Sequence, residues 1–318
     1  MHAICNYDTY FIQKYDAVRV LGLLQEQKLT ATLRMLAYRA SAEQVDEIAK
    51  MGKSTILKCL VRFYNAVENL YTREYLRKPT PRDLQRLLQK AEALGFLGLI
   101  GNINCMHWQW KNCPTTWQGD YENRNGQRSI ILEVVASFDC WVWHAFFGVA
   151  GSQNDLNVFG QSPVFNNVLQ VPNPQLEKEK SFAAFQENYK KNVERCFGIL
   201  QARWGIITDA ARMFDEEVLR SIMITCIILH NMIVEDEFDY DAPKVFEPNP
   251  MNTTLTRIYE WPMGPNGNTL EQELLVWDGR FNNPMLDRYQ EMQSSYVHER
   301  HQVDLIEHLW EMKGNHNG

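Results

Sequence analysis

Residues 130–150 constrain this chain more than any other stretch. Ile130–Phe138 (IILEVVASF) is rich in β-branched residues, and Trp141–Ala150 (WVWHAFFGVA) is apolar and aromatic. Each is too short to be a core helix and has strand composition. Asp139-Cys140 sits between them as a tight turn, which predicts a β-hairpin. A third short apolar run, Leu97–Asn104 (LGLIGNIN), is expected to be another strand. The rest of the chain carries the helical period, so the fold class expected is α/β (α+β).

The helical reading begins at the front. Leu29–Arg39 is expected to be a short helix with Leu33, Leu36 and Ala37 on one side. Ser41 with Gln44 forms an S-x-x-Q capping box that opens a second helix ending near Met51-Gly52. A third is expected from about Ser54 to Leu70, with Ile56, Leu57, Leu60, Val61 and Tyr64 as its apolar stripe. Ser54, Lys58 and Arg62 fall at i, i+4 and i+8 on another face, with Lys53 and Thr55 at the helix start. Two short helices, a tight turn and a longer helix with a polar, basic face match a helix-turn-helix, whose last helix enters the major groove. An ordinary three-helix bundle has the same pattern, and both readings stand.

Charge favours a divided molecule. The net charge is −7, but residues 1–100 hold 15 Lys and Arg against 10 Asp and Glu. The chain totals are 32 and 39, leaving 17 against 29 for the remainder. A basic front on an acidic body fits a DNA-contacting head, or simply a solvated surface. At 318 residues and 45% hydrophobic, the chain can bury a sizeable core in one or two domains. No apolar run is read as a membrane span, and the opening MHAICNYDTYFIQ has no secretory pattern. Seven cysteines, odd in number and without a CxxC pair, are expected to be reduced in an intracellular protein.

Further along, Pro79–Gly95 reads as a linker and an amphipathic helix, and Asp155–Leu169 and Ser181–Trp204 read as helical. Asp215–Glu237 is a strongly apolar helix expected at the centre of the core. Glu235–Glu247 and Pro248–Asn268 read as loops, and Pro284–Lys313 as one or two amphipathic helices. His107, Trp108, Trp110 and Trp117 line a site or pack. His230 reads as a core histidine, and Asp120, Glu133 and Asp139 as strand-end or turn residues. His298, His301 and His308 lack companions for a metal site.

Four motifs stand in a fixed order: GNINCMHWQWKNCP (Gly101–Pro114), FFGVAGSQNDLNVFGQSPVF (Phe146–Phe165), VERCFGILQARW (Val193–Trp204) and CIILHNMIVEDE (Cys226–Glu237). With Asn6-Tyr7-Asp8-Thr9-Tyr10-Phe11 near the start, they make the chain resemble plant PIF/Harbinger DDE transposases and the host proteins derived from them. The resemblance implies a helix-turn-helix region at 1–78, an RNase H-like DDE domain at 79–237, and an acidic loop with a helical tail at 238–318. In such a domain three carboxylates hold two Mg²⁺ or Mn²⁺ ions that drive DNA strand cleavage. The first carboxylate lies in a G-x-I-D-C-M-H motif, and its position here is Asn104, an uncharged amide. The third lies in V-E-R-x-F-G, and Glu194 is intact. The second has no counterpart, because no strand is read between Asp155 and Glu194. Family residues are missing at the Gln170–Val171 junction, which leaves the sheet incomplete, and Asp155 is a weak substitute ligand.

The expected function is therefore a transposase-derived protein that no longer cuts. It would bind DNA through Lys53, Ser54, Thr55, Lys58 and Arg62, or bind a chromatin complex. The resemblance also implies a Myb-like partner protein and a nuclear location, with no membrane partner. The alternatives are an active Mg²⁺-dependent endonuclease and a non-functional relic of a transposable element.

Overall fold

The computed structural model describes residues 1–93, 99–154, 157–158, 161–162, 191, 193–237, 303–304 and 306. The chain divides into one unit of residues 1–237 with 299–318 and a second of residues 238–298, the latter outside the described residues. So are Asp155, the Gln170–Val171 junction, His298, His301, His308, and nearly all of the loops and helices expected after residue 238.

The first helices form where local chemistry directs them. After the short α1 (His2–Tyr7), α2 spans Gln25–Tyr38 and α3 spans Ala42–Ala49. The Gln44 N–H donates to Ser41 Oγ at 3.3 Å and the Ser41 N–H to Gln44 Oε1 at 2.9 Å, closing the expected capping box. Lys50 takes a left-handed conformation (φ 53°) that stops α3, and α4 starts three residues later, spanning Lys53–Tyr75. It outruns the Leu70 end expected from sequence because tertiary contacts hold its last turn. Tyr75 stacks on Trp141 at 6.0 Å, and its carbonyl accepts from Asn231. An amphipathic α5 covers Pro81–Ala93.

The sheet has three antiparallel strands in the order β1-β2-β3. They are β1 (Asn102–Gln109), β2 (Ser129–Ala136) and β3 (Val142–Ala150). The hairpin is where the sequence predicts it. β1 is displaced toward the C-terminus of the expected 97–104 run, and its register runs from Asn102 opposite Ala136 to Gln109 opposite Ser129. The alternation of Asn104, Met106 and Trp108 facing the core with Cys105, His107 and Gln109 facing away decides the strand, rather than the apolar run before it. β2 is central and buried on both faces.

Between β1 and β2 lies α6 (Gln118–Tyr121). Residues 193–203 form α7, a short 3₁₀ turn follows at Gly205–Ile207, and α8 spans Glu216–Glu237. By length and composition α8 could cross a membrane, but most of it is buried in the molecule, against α4 and β3. One continuous core joins α2, α3 and α4 to one sheet face, α7 and α8. Ile131, Val149 and Val158 form a smaller cluster on the opposite face.

Candidate functional site

The basic face of α4 is present, but its cations already have partners. Arg62 grips Asp8 through two hydrogen bonds of 2.9 and 2.7 Å, with the pair 40% and 17% exposed. Burial pushes the Asp8 carboxyl up, and hydrogen bonds from the Tyr10 N–H and Arg62 outweigh it, holding the carboxyl below its ordinary value. The Tyr10 ring lies under Lys28, Lys58 and Arg62 at 5.1, 5.5 and 4.6 Å. Phe11 is fully buried. The Asn6–Phe11 motif therefore clasps α4 through side chains from Asp8 onward. Lys53 pairs with Glu43 at 3.1 Å, both well exposed. Ser54 is exposed and Thr55 half-buried. Sequence pattern alone did not reveal these pairings, since the partners come from α3 and the N-terminal segment.

Asn104 lies on the core-facing side of β1, 7% exposed, and its Oδ1 accepts the Cys105 N–H at 2.9 Å. Helix α7 crosses this same face. Gln201 donates to Met106 Sδ at 3.4 Å, while Arg195 donates to Phe138 O at 2.9 Å. Phe138 follows Ala136, the partner of Asn102. The first turn of α7 therefore sits at the Asn102–Asn104 end of the sheet, and its later turns lie over Met106. Glu194 belongs to that first turn and is exposed. Among the described residues no group of three or more His, Cys, Asp or Glu is placed to hold a metal ion.

The tryptophans of the first motif pack. Trp108 Nε1 donates to Asp209 O and Trp110 Nε1 to Met213 O, both at 2.8 Å. Segment 209–213 thus runs along the end of β1, and Ala211 N–H donates to Gln109 O at 2.7 Å. Trp117 is 42% exposed and stacks on Tyr121.

His230 and Asn231 form a buried clamp, both fully shielded from solvent. Asn231 Oδ1 accepts the Val142 N–H at 2.9 Å, and its Nδ2 donates to Val142 O and Tyr75 O, each at 2.7 Å. His230 Nε2 is 2.8 Å from Cys140 O and so donates to it, and Nδ1 takes a hydrogen from Arg203 at 3.4 Å. That arrangement fixes a neutral tautomer. Burial, the largest cause, holds the His230 pKa below its ordinary value, against the Cys140 carbonyl. The core role expected of His230 holds, and Asn231, which sequence reasoning passed over, does more of the binding. An Asn inside an unbroken apolar helix was the signal that could have found it.

Glu133 departs from its expected strand-end place. It sits in mid-β2 and is fully buried. Ser162 Oγ donates to Oε1 at 2.9 Å, Oε2 has no hydrogen-bond partner, and His144 Nε2 is 3.9 Å away. Burial pushes the carboxyl up to about 7, with Ser162 acting weakly in the other direction.

A helical layer fused to one face of a three-stranded antiparallel sheet, with a long apolar helix behind it, is a mixed α/β protein. The family model described as plant transposon protein matches residues 73–173 and 168–241, more than half the chain, and the chain belongs to that family. It is a transposon-derived protein. The two matched segments overlap at residues 168–173. No curated protein and no solved structure matches the chain.

Proposed function

We propose that this is a transposase-derived protein of the PIF/Harbinger DDE type that does not cleave DNA and acts by binding DNA or a chromatin partner. The observation that carries the reading is Asn104. Where the resemblance calls for an anionic metal ligand, the chain has a neutral amide, buried, whose oxygen is taken by the next main-chain N–H. Mg²⁺ favours hard anionic oxygen. Asn104 and Glu194 together bring one charge where the resemblance implies three, so these residues do not fit a two-metal centre and no step through a metal is derived. The break in the family match at residues 168–173 coincides with the Gln170–Val171 junction, where the second carboxylate would have been lost.

Binding is supported by the α3–α4 arrangement and by Lys53, Ser54 and Lys58, which are exposed at the start of α4. A cooperative melting transition of the full chain would rule out the relic reading. The test pairs two measurements on the full chain. Incubation of duplex DNA with Mg²⁺ or Mn²⁺ should give no cleavage beyond that of the Glu194→Ala variant. Duplex binding should weaken steeply as salt rises, because each phosphate contact releases counterions. Cleavage that Glu194→Ala abolishes would overturn the inactive reading. Binding that is absent, or indifferent to salt, would remove the DNA half and leave the chromatin partner to be sought by protein binding.

A further inference from the structure

At the turn joining β2 to β3, Cys140 of the turn meets Cys196 of α7. Cys140 ends the turn at φ +64°, a left-handed conformation that residues with a side chain rarely adopt. Its carbonyl accepts from His230 and lies 3.5 Å from the Cys196 thiol on α7. The two thiols lie close enough for each to perturb the other's ionisation. Arg195, exposed on α7, bridges Phe138 O at 2.9 Å and the Cys140 sulfur at 3.5 Å. The Cys140 sulfur is thus buried, under the guanidinium of an exposed arginine and beside a second thiol.

We propose that Cys140 and Cys196 are a redox-active dithiol that a peroxide or a small-molecule disulfide converts to a disulfide, tying the β2–β3 turn to α7. The two sulfurs have different parts. A thiolate is the attacking species, and a guanidinium together with a thiol donor stabilises it. Both act on Cys140, whose thiol is held below its ordinary value by the Cys196 thiol, against burial, with the help of Arg195. Burial pushes the Cys59, Cys113 and Cys226 thiols the other way. Cys140 therefore attacks and Cys196 resolves.

With a peroxide, the Cys140 thiolate attacks one oxygen, the O–O bond breaks, and the leaving hydroxide takes a proton to become water. Cys140 is then a sulfenic acid. The Cys196 sulfur attacks the Cys140 sulfur, the S–O bond breaks, and a second water leaves with the Cys196 proton. Two thiols have given up two electrons and two protons, and the peroxide has accepted both. With a small-molecule disulfide the first product is a mixed disulfide, and two small thiols are released instead. The reaction couples the sheet to the helix that carries Glu194, and it does not depend on whether the protein binds or cuts DNA.

The test starts from fully reduced full-length protein, treated with hydrogen peroxide or oxidised glutathione, quenched with an alkylating agent and peptide-mapped by mass spectrometry. A Cys140–Cys196 linked peptide, reversed by dithiothreitol, should form at least about tenfold faster than the Cys105 or Cys113 thiol disappears. Cys196→Ser should stop Cys140 at the glutathione adduct or at a sulfenic acid trapped by a dione reagent. Cys140→Ser should leave Cys196 reduced. If Cys140 and Cys196 both stay alkylatable while other thiols oxidise, or if the linked peptide joins other cysteines, the proposal is overturned. The map of the unaltered protein decides this whether or not the variants fold.

Discussion

Two regions built from family motifs use the same kinds of polar side chain in different surroundings. On α4, Arg62, Lys58 and Lys53 meet Asp8, Tyr10 and Glu43 near water, and Arg62 keeps 40% of its side chain exposed. At the β2–β3 turn, His230 and Asn231 meet main-chain groups in a fully buried setting. A hydrogen bond beside water can be exchanged for another partner at little cost, whereas a buried one leaves its partner stranded when broken. The turn therefore belongs to stability. The α4 face keeps cations that a phosphate could recruit.

The sharpest way to break this contrast is Asn231→Ala. The substitution strands the Val142 N–H, Val142 O and Tyr75 O, all bonded to Asn231. At roughly 1–3 kcal/mol for each buried group left unpaired, partly relieved by repacking, the expected loss is about 3–5 kcal/mol in a urea melt. A loss no larger than that of Arg62→Ala would erase the distinction between the two regions.

The next effect reads through pH. Burial raises the Glu133 carboxyl from 4.5 to about 7, so the folded chain keeps a proton that the unfolded chain releases. The stabilisation tied to that proton is whole below about 4.5 and is lost as pH rises through about 7. Glu133→Gln stays neutral and can still accept from Ser162. It should match the parent in acid and exceed it by on the order of 2 kcal/mol in mild alkali. His230 works in the opposite sense. Its depressed pKa gives stability that is present above the unfolded value, about 6.5, and is lost as pH falls through the lower folded value. Parallel melts of parent and variant from acid to alkali check both, and a variant curve that tracks the parent throughout would sink the assignment to Glu133.

Local signals were legible in the sequence and long-range pairings were not. The Ser41–Gln44 box, the Asp139-Cys140 turn and the apolar run of α8 are each encoded within a few residues, and each is where the sequence puts it. The expected β1 is displaced because LGLIGNIN is more apolar than the true strand, whose alternation runs through Met106, His107, Trp108 and Gln109 and whose His107 and Trp108 read equally as site lining or packing. Glu133 looked like an edge residue because nothing local says that β2 is central. For the candidate site, Asn104 and Glu194 were named from sequence. Their positions on the core side of β1 and on the exposed first turn of α7 needed the packing of α7 on the sheet. The cations of α4 were legible too, but Asp8 lies 54 residues from Arg62, and no helical periodicity reaches that far.

Arg62→Ala tests the exposed side of the contrast. It removes a two-bond ion pair and a cation over Tyr10, both partly hydrated, and about 1 kcal/mol of stability should go with it. Because Arg62 is held by Asp8, DNA affinity should fall less for this variant than for Lys58→Ala. A larger fall would mean that the Asp8 clasp opens when DNA arrives.

The smallest effect on stability, and the most telling for function, is expected at Lys53. Its ion pair with Glu43 is exposed on both sides, 54% and 60%, and solvent screening leaves such a pair with little effect on stability. Lys53→Ala should therefore melt like the parent. If Lys53 meets a phosphate at the start of α4, the variant should bind duplex DNA more weakly across all sequences and lower the slope of log affinity against log salt by about 1. Glu43→Gln should act in reverse, freeing Lys53 and strengthening binding without changing the melt. If both variants bind DNA as the parent does, the α3–α4 pair is a bundle like any other, and the DNA contact lies elsewhere on the chain.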